Sequence, residues 1–317
     1  MTVALYLAIY AGLLVFLAGS LLRTYEYARM PLHLRWELYP VPHEKPQNAE
    51  HGGSYFESQR WWREPQKKYR SREWMAMFEE ILFLKSLRRF NPGLWMPSFL
   101  FHFGLYLSIV AVALLTLAVL PGVLITGPAA SRLSAKIALV SALPPVSGWV
   151  GLAGAVLVIA GAILLLVRRS SDPTLKNYTK AGDIFNLLFF IVTFAVLTIA
   201  HLTANSSTAH IEDVVRALFR FDRSVNVGPI LGSGMALASA LAAYIPFTHM
   251  SHFIGKYFTW HSVRWDDKRN ERGSAMESKV ATSLSYRPNW AAPHVGADGK
   301  KSWAEIAASN PTEAVRK

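Results

Sequence analysis

Long apolar runs alternate along the chain with polar, mostly basic segments. Five runs, about Val3–Leu22, Phe99–Ile125, Val146–Val167, Ile184–Ala204 and Val227–Ile254, carry no Lys or Arg except at their ends. A hydrocarbon core about 30 Å thick needs roughly 20 apolar residues per helix, so each run predicts one membrane-spanning helix. The predicted fold class is therefore all-α, an integral membrane five-helix bundle. The first run sits where a signal peptide would, but it lacks a basic leader and a small-residue cleavage site before Arg23, and it reads as a retained anchor.

The polar segments complete the organisation. Residues 1–22 form the first span, 23–97 a cytoplasmic loop, 98–261 spans two to five, and 262–317 a polar C-terminal tail. The loop is too long to be a turn. Its stretch "HEKPQNAEHGGS" reads as exposed, whereas "REWMAMFEEILFLKSLRRF" places Trp74, Phe78, Ile81 and Leu82 at helical spacing before the stop "NPG". That pattern predicts an interfacial amphipathic helix lying on the cytoplasmic leaflet or on a partner protein. "IEDVVRALFRF" predicts a shorter amphipathic helix with His210 beside its start. The tail reads as an extended docking arm or a disordered end. No internal repeat is evident.

Charge then orients the bundle. The 317 residues carry a net charge of +12, and its distribution matters more than its sum. Lys and Arg crowd the segment 23–97, the next loop has only Arg132 and Lys136, and the third carries Arg168, Arg169, Lys176 and Lys180. The fourth offsets Arg216, Arg220 and Arg223 with Glu212, Asp213 and Asp222. By the positive-inside rule the N-terminus is expected outside and the C-terminus in the cytoplasm, as a multi-pass protein of a bacterial inner membrane. The positive charge is thus assigned to membrane lipid and topology, and no nucleic acid is expected as a partner.

There is no cysteine. Disulfides, iron–sulfur ligation and thiolate zinc sites are excluded, and a redox centre in this chain must be held by His or Met. Of ten histidines, His33, His43, His51, His261 and His294 fall in polar or boundary sequence. His102, His201 and His252 stand in apolar surroundings, where an idle imidazole is costly. The second span runs outward and the fifth inward, so His102 near the start of one and His252 near the end of the other come to similar depth. Two imidazoles at matched depth on antiparallel helices suit a bis-histidine b haem, with Gly104 and the small residues of "LGSGMALASALAA" giving room for the ring. The same spacing also allows both histidines simply to hydrogen-bond to neighbouring helices.

The stretches "GSLLR", "SFLFHFGLYLSIV", "LLLVRRSSDPTLKNYTKAGDIFNLL", "IPF" before "THMSH", and "HSVRWDD" occur in an order that resembles the respiratory nitrate reductase gamma subunit family. These are membrane cytochromes b, and this chain is more similar to the branch found in sulfite-reductase-associated and heterodisulfide-reductase-like complexes. The resemblance implies that His102 and His252 are the iron ligands of the haem nearest the cytoplasmic partner. It also implies exchange of electrons between a quinone, such as menaquinone, and a separate iron–sulfur subunit docked on the loop and tail. The chain departs from the nitrate reductase pattern where an outer haem would be bound, since Val112 and Gly234 stand at the ligand positions.

His201 then has three readings: ligand of a differently bound second haem with His210 or His249, proton acceptor for a quinol, or a satisfied interhelical histidine. Arg132, Lys136 and His201 are the polar groups expected on the quinol side, with His201 and Lys136 as the candidate catalytic residues. His249, one turn from His252, is expected to meet a haem propionate or to reach the interface. A haem-free membrane anchor is the alternative function. A transporter is disfavoured by the lack of a repeat and of midplane charges.

Overall fold

Four of the five apolar runs become longer helices than hydropathy alone delimits, because the helices continue through the interfacial residues at their ends. The computed structural model describes residues 2–31, 59–60, 63, 69–124, 138–204, 209–264, 270–292 and 295–309. In chain order these form α1 (Thr2–Arg29), α2 (Arg70–Phe83), α3 (Lys85–Phe90), α4 (Pro92–Leu124), α5 (Ala138–Ser171), α6 (Pro173–Tyr178), α7 (Ala181–Leu202), α8 (Ile211–Arg220) and α9 (Pro229–Tyr244). Two 3-10 turns, Ile245–Phe247 and His249–Ser251, lead into α10 (His252–Arg264), followed by α11 (Ala275–Ser285) and α12 (Trp303–Ala308). Among the described residues the only strands are β1 (Ala291–Ala292) and β2 (Ala297–Asp298), an antiparallel pair between α11 and α12. Helices α1, α4, α5, α7 and α9 are long and apolar enough to cross a membrane. The protein is an all-α membrane bundle.

Helices α4 and α5 are joined along a seam of small residues. A β-carbon on Gly161 would collide with the Phe101 backbone nitrogen, one on Gly104 would fall 2.6 Å from the Val158 nitrogen, and one on Gly151 3.4 Å from the Ala111 β-carbon. The contacts 101 with 161, 104 with 154 and 158, 108 with 154, and 111 with 151 define one antiparallel register, in which both helices present positions spaced three and four apart. This is a coiled-coil seam drawn close by glycine, the arrangement favoured where lipid supplies no hydrophobic drive to associate. Phe101, Val158, Ala162 and Leu165 from the seam join Leu187, Phe190 and Leu241 in one buried core. Phe101 meets Phe190 edge to face at 5.0 Å.

The small face of α9 is used in the same way. Gly234 lies on Leu197 of α7, and Ser239 fills the space over Gly12 of α1, where its hydroxyl donates to the Ala8 carbonyl at 2.8 Å. A second core, with Leu5, Tyr6, Ile9, Val214, Ala217 and Val227, fastens the start of α1 to α8.

Three sequence expectations change. The fifth run does not continue as one helix to Ile254: α9 ends at Tyr244, and its span reaches only Phe247. Pro246 lacks a backbone donor, and Thr248 takes up extended backbone, so the helical ladder breaks there. "NPG" does not simply stop a helix. The amphipathic segment already breaks at Leu84, which has a left-handed backbone (φ 49°), and Asn91 Oδ1 accepts from Leu94 N to cap the start of α4, with Pro92 in its first turn. The tail is not an extended arm over 270–292 and 295–309. Ser274 and Ser302 cap α11 and α12, and Trp290 packs edge to face on Trp303 at 5.6 Å.

The chain divides into two compact units, residues 1–19 with 78–250, and 20–77 with 251–317. The first holds most of the spanning bundle. In the second, Tyr27 of α1 stacks on Phe258 at 5.8 Å and closes over Gly255 of α10.

Candidate functional site

His201 ends α7, and the packing of α5 determines what surrounds it. Pro144 and Pro145 remove two backbone donors from the first turns of α5. Gly148 follows, and a β-carbon there would lie 3.4 Å from the His201 Cε1, so the imidazole rests against bare backbone. Across the same space His210 caps α8: its backbone N–H donates to Asp213 Oδ2 at 3.0 Å, which fixes the ring's starting point at the helix end. Together these elements form a cavity of about 330 Å³, with Leu115, Leu197 and Leu231 among its apolar walls and Ser147, His201, His210 and Glu212 as its polar residues. Glu212 is also paired with Arg216 of the same helix.

The volume and lining suit one small, mostly apolar molecule oriented by a few polar contacts. A neutral imidazole both donates and accepts, so two of them facing one cavity can bind carbonyl or hydroxyl oxygens and take up a proton. The structure therefore brings together His201 and His210, two residues that sequence alone left as conceivable partners. Val112 is exposed and Gly234 is packed on Leu197, so neither contributes to this cavity. Lys136 lies outside the described residues.

His102 occupies the third turn of α4. Its Nδ1 is 2.7 Å from the Ser98 carbonyl oxygen. A carbonyl has no proton to give, so Nδ1 is the donor, which in the neutral ring leaves the lone pair on Nε2. A histidine that ligates a metal through Nε2 commonly donates its other N–H to a backbone carbonyl in this way. The ring also meets Phe101 edge to face at 5.5 Å. As donor chemistry, His102 fits a haem ligand.

Gly104 does not serve as expected. The space beside it is taken by Gly154 and Val158 of α5, so this glycine makes room for a helix rather than for a porphyrin ring. The small face of α9 is likewise filled, by Leu197 and by α1. His252 opens α10, beyond the apolar span that ends at Phe247, and belongs to the second unit, whereas His102 belongs to the first. The depth count that matched the two histidines assumed one unbroken fifth helix, and it no longer applies. His249 is exposed, with Nε2 3.6 Å from Asp183 Oδ1, and Asp183 is also 3.8 Å from Arg169.

Sequence reasoning missed Ser98, whose contribution is a backbone carbonyl, and Gly148, whose role depends on what lies opposite. The signal available for the cavity was "PPVSG", a helix-loosening pair followed by small residues at the start of a span. Among the described residues no three His, Cys, Asp or Glu side chains gather as a metal site. No protein-family model matches the chain, and neither does any curated protein.

Proposed function

We propose that the chain is a membrane cytochrome b subunit that exchanges electrons between a quinone and a separate iron–sulfur protein. The observation that supports this most directly is the 2.7 Å approach of His102 Nδ1 to the Ser98 carbonyl oxygen, the contact that orients a histidine for ligation through Nε2. His102 would hold the haem iron, and the family resemblance implies His252 as the other residue that would do so. A b haem so held would supply reversible one-electron transfer at the iron.

The residues of the His201 cavity supply the proton chemistry. A quinol ring enters between apolar walls, and one hydroxyl meets His201. Oxidation releases two protons and two electrons: His201 accepts one hydroxyl proton, His210, which lines the same cavity, binds the second oxygen and takes its proton, and the electrons leave the ring one at a time for the one-electron centre. In the reverse direction the same groups return both protons to a quinone. With no cysteine in the chain, the electrons must pass to or from another subunit.

One observation favours a second reading, a haem-free anchor for a redox complex: the faces of Gly104 and Gly234 are filled by neighbouring helices. The optical spectrum of the purified subunit, made with haem in excess, separates the two. A reducible low-spin b-type spectrum that responds to a quinol analogue supports the cytochrome, and a featureless visible spectrum assigns the anchor.

A further inference from the structure

Between α2 and α4 the chain makes an elbow at Leu84. Two hydrogen bonds fasten it to the spanning helix: the Tyr106 hydroxyl donates to the Ile81 carbonyl at 2.7 Å, and the Trp95 indole N–H donates to the Phe83 carbonyl at 2.8 Å. Two acidic groups of the elbow, Glu79 and Glu80, are used within it. Glu80 is buried and accepts from the Ser86 N–H at 2.8 Å and hydroxyl at 2.7 Å, and Glu79 pairs with Lys85.

Arg88 and Arg89 are treated differently. Among the described residues neither meets a carboxylate; the Arg88 guanidinium lies 5.2 Å over the Trp95 ring, and that of Arg89 5.5 Å over the Phe90 ring. Phe90 is itself 79% exposed, and Phe78, Ile81 and Phe83 are exposed with it.

The level of this elbow follows from the length of α4. Its 33 residues span about 50 Å, well beyond the roughly 30 Å of hydrocarbon, so the helix overhangs the core, and α3, which joins its N-terminal end through Asn91, sits at the level of an overhanging end, while Tyr106, about four turns further along, ties down the Ile81 end of α2. Guanidinium groups with aromatic bodies at that level match an anionic headgroup above and acyl chains below.

We infer that the α2–α3 elbow seats in the leaflet and binds anionic phospholipid, with Arg88 and Arg89 on the phosphates and Phe83 and Phe90 among the upper acyl carbons. This is independent of haem and quinone.

The test uses the full-length protein in nanodiscs of phosphatidylcholine and phosphatidylglycerol in equal parts, with retained lipid counted by native mass spectrometry after release. The protein is expected to keep phosphatidylglycerol in preference. R88Q/R89Q should lower that retention about twenty-five-fold, taking roughly fivefold for each basic side chain at an anionic surface. R88K/R89K, which keeps the charge, should retain part of the preference and guards against misfolding of the first variant. Equal retention by the parent and R88Q/R89Q would overturn the proposal. So would displacement of the lipid by inorganic phosphate, which would mark a free-anion site. Loss of an acidic protein partner in R88Q/R89Q with lipid retention unchanged would assign the patch to protein instead.

Discussion

Gly104 of α4 and Gly154 of α5 meet backbone against backbone: a β-carbon on Gly104 would fall 2.7 Å from the Gly154 carbonyl oxygen, and one on Gly154 would fall 2.8 Å from the Gly104 carbonyl oxygen. In lipid such close approach is itself the attraction between helices, and a side chain that holds them apart removes it. Gly154→Val is expected to destabilise the bundle by about 1–3 kcal/mol, the usual cost of overpacking. Thermal unfolding in detergent measures this. Gly182→Ala is the control, since nothing lies within 4 Å of a β-carbon there, and it should leave the melting temperature unchanged or slightly raised.

His201 and Gly148 make a second pair with consequences. His201→Ala should slow reduction of the bound haem by a quinol analogue about tenfold or more, a loss typical of a missing proton acceptor, with the haem spectrum intact. Gly148→Leu should give a similar loss by filling the cavity beside the imidazole, visible as a raised KM for the analogue. Reduction at the parent rate in both variants would make His201 structural and move the quinone site elsewhere.

In the second unit, Asp298 is held below the usual carboxylate range by the backbone N–H groups of Lys301 and Lys300, both at 2.9 Å. Glu305 is lowered first by the Ser302 N–H and then by its hydroxyl. Carboxyls whose folded values are depressed contribute stability that is fully present above their unfolded values, near pH 4, and lost as pH falls through the folded ones. Tryptophan fluorescence from the Trp290–Trp303 contact should therefore be flat above about pH 5 and change on acidification below about pH 4. D298N/E305Q should flatten that acid transition.

The spans were legible because each is a long uncharged run, and this periodicity needs no tertiary knowledge. The seam was less so. Phe101, Gly104, Ser108 and Ala111 repeat at three and four, but a residue list does not say that their partners are Gly161, Gly154 and Gly151 until α4 and α5 are paired. The same gap misread Gly104, since a small residue in a span makes room equally well for a helix or a cofactor. The end of the fifth helix was misplaced because hydropathy passes smoothly through Pro246, whereas the backbone does not. His201 stands out in the sequence because its surroundings are apolar, and only the fold places it with His210 around one cavity.

Haem content is the most direct test of the central claim. A pyridine haemochrome assay on pure protein, set against protein concentration, is expected to show at least one b haem per chain. His102→Ala and His252→Ala should each abolish it, while His249→Ala, whose ring meets Asp183 at 3.6 Å, should keep the haem and at most shift its potential. A haem-to-protein ratio near zero in the parent protein under full haem supply, or equal haem loss in the His249 and His252 variants, would contradict the account.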